Sequence, residues 1–220
     1  MSSVMKVLSN GIAVIEGDTH ISAWVEYHGR LDHDQYSLPI ILEHIKEGDW
    51  VVDGGAFIGD HTIAYLKAVG KSGKVFAFEP NPDALACLAH NCPEAKIHPY
   101  GLGDYSETKK ICKNVNAGAS SIGDSGDTEA KINCLDCYDL PRLDFLKLDI
   151  EGYELKALQG AEETIATHRP KMWIEINRGA LERQGASAKD IFSFLVDYEY
   201  DIEPYPEEGG EQYDILCLPR

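Results

Sequence analysis

The chain has 220 residues, enough for one domain with a sizeable core, and it shows no internal repeat or long low-complexity stretch. Its 37 acidic and 20 basic side chains leave a net charge of -17, which repels phosphate backbones and argues against nucleic acid or an anionic membrane as partner. The same charge also serves plain solubility. No stretch approaches the ~20 apolar residues that cross a bilayer, and residues 1–10 lack a signal peptide's apolar segment, so a cytoplasmic location is expected. The six cysteines fit reduced thiols better than a disulfide framework. Cys134-x-x-Cys137 has metal or redox spacing but no second pair to complete a zinc site.

In chain order, Asn10-Gly11 and Gly17-Asp18 bracket two alternating runs, 12–15 and 20–27, which predict an N-terminal hairpin outside the main sheet. Residues 28–36 are polar and rich in His and Asp. A metal site of His28, Asp32, His33 and Asp34 is one reading; a solvated loop entering a helix is favoured, because ligand spacing is missing. This loop is expected on the rim of a site, with Tyr36 touching ligand, so that 1–46 form a hairpin and lid and 47–220 an α/β core. An apolar run over 38–45 follows.

Residues 50–59, W-V-V-D-G-G-A-F-I-G, read as a buried strand running into a glycine turn and then a helix to Val69. Gly54 and Gly55 let the backbone take unusual dihedrals close to a ligand, and Gly59 removes a side chain where helix and strand press together. A dinucleotide fingerprint G-x-G-x-x-G fails here, because Asp53 takes the first glycine position and Ile58 the last. An acid at the strand end instead suits a ligand without pyrophosphate and with a cationic amino-acid end, as in S-adenosylmethionine.

Residues 74–79 form a second strand ending in Glu79, placed to accept from a ribose diol. A helix is predicted over 83–91 and a third strand over 96–100. In Gly101-Leu-Gly103-Asp104, Asp104 either accepts from an adenine amine or simply forms a turn. Residues 105–127 look least regular, and 131–135 read as an added strand. Residues 143–154 are a strand that exits into Asp149, Glu151 and Glu154, followed by a helix to 167. The strand 171–177 places Glu175 and Asn177 on one face. Asp149, Glu175 and Asn177 could ligate magnesium or orient a substrate hydroxyl; the second is preferred, because no spacing demands a metal. A helix over 187–198 and two closing strands, with an acidic tip at 206–211, complete the chain.

With Val52-Asp-Gly-Gly-Ala-Phe-Ile-Gly59, Phe78-Glu-Pro-Asn-Pro82, Gly101-Leu-Gly103 and Leu146-Lys-Leu-Asp-Ile-Glu-Gly-Tyr-Glu154 in order, the sequence resembles the FkbM family of class I S-adenosylmethionine-dependent methyltransferases. The resemblance runs from about residue 48 to 177. It implies a doubly wound, Rossmann-like seven-stranded α/β sheet in the order 3-2-1-4-5-7-6, the last strand antiparallel. It also implies S-adenosyl-L-methionine contacts from Asp53, Gly54, Gly55, Ala56, Phe57, Gly59, His61 and Thr62 at the methionine end. Glu79 and Pro80 fall to the ribose, Gly103 and Asp104 to the adenine, and Asp149 and Glu151 to the amino end or reacting face. Phe57 departs from the family, which usually has Asn or Gly there. The family favours oxygen as acceptor, and Asp-Pro-Pro-Tyr or Pro-Cys motifs of DNA-base methylation are absent. The expected reaction is methylation of a small-molecule hydroxyl, on a sugar or natural product. Asp149 or Glu175 would remove the proton, with His33 or His61 in reserve. A nucleotide-cofactor oxidoreductase and a non-catalytic binding module are the alternatives. Sequence leaves the oligomeric state open.

Overall fold

The computed structural model describes residues 5–112, 116–123, 125–126, 128–205 and 210–220. The acidic tip expected at 206–211 falls largely outside them, since 206–209 are not described. Strands β1 (Met5–Val7) and β2 (Ala13–Ile15) pair antiparallel. Helix α1 (Ile21–His28) occupies the run expected as a hairpin strand. The Asn10-Gly11 turn closes the hairpin on the residues before it. Asp18 then accepts from the Ser22 amide at 2.7 Å and starts a helix that buries Ser22 and Val25, three residues apart. Gly29 ends it at φ 69°.

The chain continues through α2 (Ser37–Glu43), β3 (Trp50–Gly54), α3 (Thr62–Val69), β4 (Lys74–Phe78), α4 (Pro82–Asn91) and β5 (Lys96–His98). The described part of 105–127, expected to be irregular, holds β7 (Glu107–Cys112) and β8 (Ser121–Gly123), which join β6 (Gly101–Leu102) and β9 (Thr128–Asn133), the latter overlapping the strand expected over 131–135, in a second sheet of order β6-β9-β7-β8. Its period of two puts Ala130 and Ile132 inside and leaves Glu129 and Lys131 outside. Then come β10 (Phe145–Leu148), α5 (Glu154–Gln159), α6 (Glu162–His168), β11 (Lys171–Asn177), α7 (Arg178–Arg183), α8 (Ala188–Asp197), β12 (Tyr200–Tyr205) and β13 (Gln212–Pro219). The single helix expected over 153–167 is two, divided at Gly160, where any Cβ would overlap the Gly103 carbonyl.

The main sheet runs β12-β13-β11-β10-β3-β4-β5, and β13 alone opposes its neighbours. Counted by appearance within this sheet, the order is the expected 3-2-1-4-5-7-6. Successive residues of each inner strand face opposite layers. Val52, Leu146 and Ile174 join α5 to α8 in one core, while Val51, Phe145 and Trp173 join α2 and α3 in the other. Burying each such aliphatic chain is worth roughly 1.5–3 kcal/mol. The parallel arrangement gathers the carboxyl ends of β3, β4, β10 and β11 on one edge, and the reversed β13 brings its first residues there as well.

Cys134 and Cys137 are joined as a disulfide, Cα atoms 5.4 Å apart, which corrects the expectation of reduced thiols for this pair. Cys87, Cys92, Cys112 and Cys217 are free. Among the described residues, no helix is long and apolar enough to cross a membrane.

Gly59 has φ 92°, and a Cβ there would lie 2.6 Å from Cys92 Sγ and 3.2 Å from Leu88 Cδ1. The element pressing on it is thus α4, not the preceding strand. Gly59→Ala should cost about 3 kcal/mol from overpacking and left-handed strain, lowering Tm by roughly 10 °C in a thermal melt.

Candidate active site

A cavity of about 340 Å³ opens at the carboxyl edge of the main sheet, within the size range of small-ligand sites. Its floor comes from the strand ends. One wall is supplied by Ile111, residues 116–118, Ser120 and Ile122, from the second sheet and its connections, and another by residues between 20 and 37 of the N-terminal segment. Asp18 ties these two walls together by accepting from the Ala117 amide at 2.9 Å.

In the floor lies Lys147, 3 % exposed, directly opposite Asp53 in the β10/β3 register. Its ammonium donates to the Gly55 carbonyl at 3.1 Å and lies 3.5 Å from Asp53 and 3.4 Å from Asp149. Burial alone would lower the affinity of this amine for its proton. The carboxylates of Asp149, Asp53 and Asp60 outweigh burial and hold it above the ordinary lysine value. Asp53 is fully buried and also accepts from Thr62 Oγ1 at 2.6 Å.

At the β3 and β4 ends, the amides of Gly55 and Ala56 both donate to the Phe78 carbonyl at 3.1 Å, and the Phe57 amide donates to Glu79 at 2.9 Å. Phe57 sits at φ 46°, a left-handed conformation that Asn and Gly accept more readily. A Cβ on Gly55 would overlap the Asp149 carbonyl oxygen. Glu79 also accepts from the Asn81 amide at 2.8 Å, and burial pushes its carboxyl up to about 7. Beside it, Gly101 and Leu102 continue an apolar strip with Pro80, Ile111 and Ile122.

The opposite end is acidic. Glu175 is 8 % exposed; one oxygen accepts from Gln212 Nε2 at 2.5 Å, and Oε2 has no hydrogen-bond partner among the described residues. Burial, then Asp149, Glu151 and Glu154, push its carboxyl well above the usual range. Burial and Asp149 likewise raise Glu151 to about 7 and Asp214 to about 6, although Ser37 donates to Asp214 at 3.1 Å. The turn carrying Asp149 and Glu151 is organised by Glu154, which accepts the Ile150 and Gly152 amides at 3.0 and 3.1 Å. Glu151 itself holds φ 55°, and Gly152 φ 105°.

Two imidazole–carboxylate contacts link the N-terminal segment to the start of α3: His33 Nδ1 lies 3.1 Å from Asp60, and His61 Nε2 lies 3.2 Å from Asp34. Burial lowers the proton affinity of His61, but Asp34 and Asp60 reverse that, for a net rise.

Of the residues named from sequence, Gly55, Phe57, His61, Glu79, Pro80, Asp149, Glu151 and Glu175 line the cavity, as does His33. Asp53, Gly54, Ala56, Gly59 and Thr62 lie outside its lining, in the turn and under the floor. Gly103 and Asp104 are also off the wall, which Gly101 and Leu102 form instead; the Gly103 amide is spent on the Asn133 carbonyl at 3.1 Å. Tyr36 is 54 % exposed and off the cavity, so the rim contact expected of it falls to Asp34 and Ser37. Asn177 caps α7, accepting from the Ala180 amide at 3.0 Å, which removes it from the grouping with Asp149 and Glu175. Among the described residues, no three His, Cys, Asp or Glu side chains gather in a metal-holding arrangement. Lys147, Gln212 and Asp214 were missed. A lysine inside an apolar strand was the available signal for the first.

A seven-stranded sheet in this order, with a glycine turn after its first strand and acids at the next strand ends, defines the S-adenosylmethionine-dependent methyltransferase class. The sequence profile of the FkbM methyltransferase domain matches residues 53–133 and 134–202. The hexuronic acid methyltransferase AglP of Haloferax volcanii is 33 % identical over 185 residues, covering 77 % of this chain and 71 % of that protein. The chain therefore belongs to the FkbM methyltransferase family. Among solved structures, methyltransferase FkbM from Methylobacillus flagellatus KT superposes with a TM-score of 0.57 at 20 % identity, over 77 % of this chain and 43 % of that one. This chain thus spans under half of that relative. Aeropyrum pernix fibrillarin, in complex with natively bound S-adenosyl-L-methionine, gives 0.52 at 14 % identity over 86 % and 76 % of the two chains.

Lys147→Met should destabilise the fold by about 3–5 kcal/mol in urea titration, because Asp53 is left buried without its cation. Adding Asp53→Asn should recover a large part of that loss. Glu154 is fully buried, and burial raises its carboxyl to about 7 from 4.5. Its folded-state stabilisation is complete below the ordinary carboxylate range and is lost as pH rises through about 7. Glu154→Gln should therefore gain on the wild type by up to about 3 kcal/mol between pH 5 and pH 9, read from paired denaturation curves.

Proposed function

We propose that this protein is an S-adenosylmethionine-dependent O-methyltransferase acting on a hydroxyl of a small, sugar-like acceptor. Residues 47–220 serve as the catalytic core and 1–46 as a hairpin and lid. The observation that carries the reading is a single cavity with two different ends on one sheet edge. At one end Glu79 adjoins an apolar strip; at the other, Glu175 presents an oxygen with no partner among the described residues.

The residues fit the cofactor. Gly101, Leu102, Pro80, Ile111 and Ile122 offer an apolar strip to a flat ring, and the Glu79 oxygens retain acceptor capacity beyond their two amides. Gly55 and Glu151 fit a cationic amino-acid end, which leaves Asp149 for the reacting face. When bound, S-adenosylmethionine supplies a methyl group already activated on a sulfonium. The chain's task is then to hold the acceptor oxygen in line behind that methyl and to take its proton as the carbon–sulfur bond breaks and the carbon–oxygen bond forms. Asp149 and Glu175 are the carboxylates for the proton. His33 and His61 are already engaged by Asp60 and Asp34. Buried Trp173 lines the cavity and helps keep water out. The named activity of the Haloferax relative supports a sugar as acceptor class. The oxidoreductase alternative loses ground because the amides of Gly55, Ala56 and Phe57 are already donated within the protein, leaving none of the three for a pyrophosphate.

Calorimetric titration tests the cofactor half. S-adenosylmethionine and S-adenosylhomocysteine should bind and NAD should not, and Glu79→Ala should weaken both by about 10- to 100-fold, the loss of charged hydrogen bonds. Folded wild type that binds neither sulfur ligand would refute the reading.

A further inference from the structure

The acidic end of the cavity has a property that a general methyl-transfer site does not require. Glu175 and Asp214 are directly opposed across the antiparallel β11/β13 ladder. Like-charged residues at such positions repel each other unless a cation, a proton or hydrogen-bond donors intervene. Here the donors are few. Gln212 satisfies one oxygen of Glu175 and Ser37 one oxygen of Asp214. Glu175 Oε2, in a residue more than nine-tenths buried, has no partner among the described residues. Asp149 and Glu151 add two more carboxyls to the same end of the cavity. Lys147, the buried cation nearest them, is held by Asp53, Asp149 and the Gly55 carbonyl.

We propose that Glu175 and Asp214 form an acceptor subsite for a protonated amine carried beside the hydroxyl to be methylated, so that the site takes amino sugars and rejects uronates. This rests on reading the cavity as a methyl-transfer site. An ammonium has three donors and a full charge, enough to bridge the opposed carboxylates and to engage the open Oε2. A hexuronate would bring a further carboxylate against the same group. This chain's acceptor therefore differs in charge from that named for its Haloferax relative. With Glu175 and Asp214 occupied by the amine, the hydroxyl proton passes to Asp149.

Saturation-transfer NMR on full-length protein saturated with S-adenosylhomocysteine, offered D-glucosamine, D-glucose or D-glucuronate in turn, decides the matter. Glucosamine should bind in preference to both others. Asp214→Asn and Glu175→Gln should each weaken it about tenfold, the loss of one charged partner. The calorimetric Kd for S-adenosylhomocysteine should stay within about twofold, since neither residue is assigned to the cofactor. Equal or stronger binding of glucose or glucuronate, or no binding of glucosamine, would overturn the subsite while leaving the cofactor site intact. Failure of S-adenosylhomocysteine itself to bind the folded wild type would remove the methyl-transfer reading and the subsite with it.

Discussion

The Lys147 ammonium is the constraint on which the sheet edge depends. Two parallel strands, β3 and β10, and the glycine turn bring Asp53 and Asp60, both buried, near the half-exposed Asp149. Carboxylates so confined would repel or take up protons. One buried cation, placed by register opposite Asp53, binds two of them and the Gly55 carbonyl together. The floor of the cavity is thereby a cross-linked electrostatic unit, and the glycine turn is fixed from below while its upper surface faces the cavity. A buried ion pair contributes little net stability against an apolar replacement. Its value here is positional, since it sets where Asp149 can stand.

A second theme is the division of the cavity by charge. The amides that Glu79 accepts, and its apolar neighbours, give the β4 end few free charges. The β10, β11 and β13 ends concentrate carboxyls that burial pushes toward protonation. Both ends come from the same pattern, an acid at or just past a strand terminus. What differs is the compensation: backbone donors at Glu79, and almost none at Glu175.

Much of the main sheet was legible because its strands are short apolar runs that end in glycine or an acid, and the resemblance to a family then ordered them. The two layers follow from adjacent pairs such as Val51 and Val52, each facing a different core. Residues 20–27 were not legible as helix. Their apolar positions fit a strand and a helix about equally well, and the deciding contact, Asp18 with the Ser22 amide, is a local capping interaction. Of the second sheet, β9 was expected in part, whereas β7 and β8 escaped because the strands are short and pair with one another out of sequence order. In the site, residues adjacent to recognised motifs were found. Gln212 and Asp214 were not, because only the reversal of β13 brings them to the edge. Tyr36 was favoured for its chemistry, whereas the backbone turns the neighbouring Asp34 toward His61 instead.

The walls of the cavity stand apart from its floor. Residues between 20 and 37, and Ile111 with 116–118, Ser120 and Ile122, contribute to the lining from outside the seven-stranded sheet, and the Asp18 carboxylate joins the two groups at Ala117. Selection acting on these two segments can reshape or recharge the opening without disturbing one strand register of the core. The architecture is in this sense modular: the floor is built by the strand ends of the main sheet, whereas the walls come from segments that the sheet itself does not need.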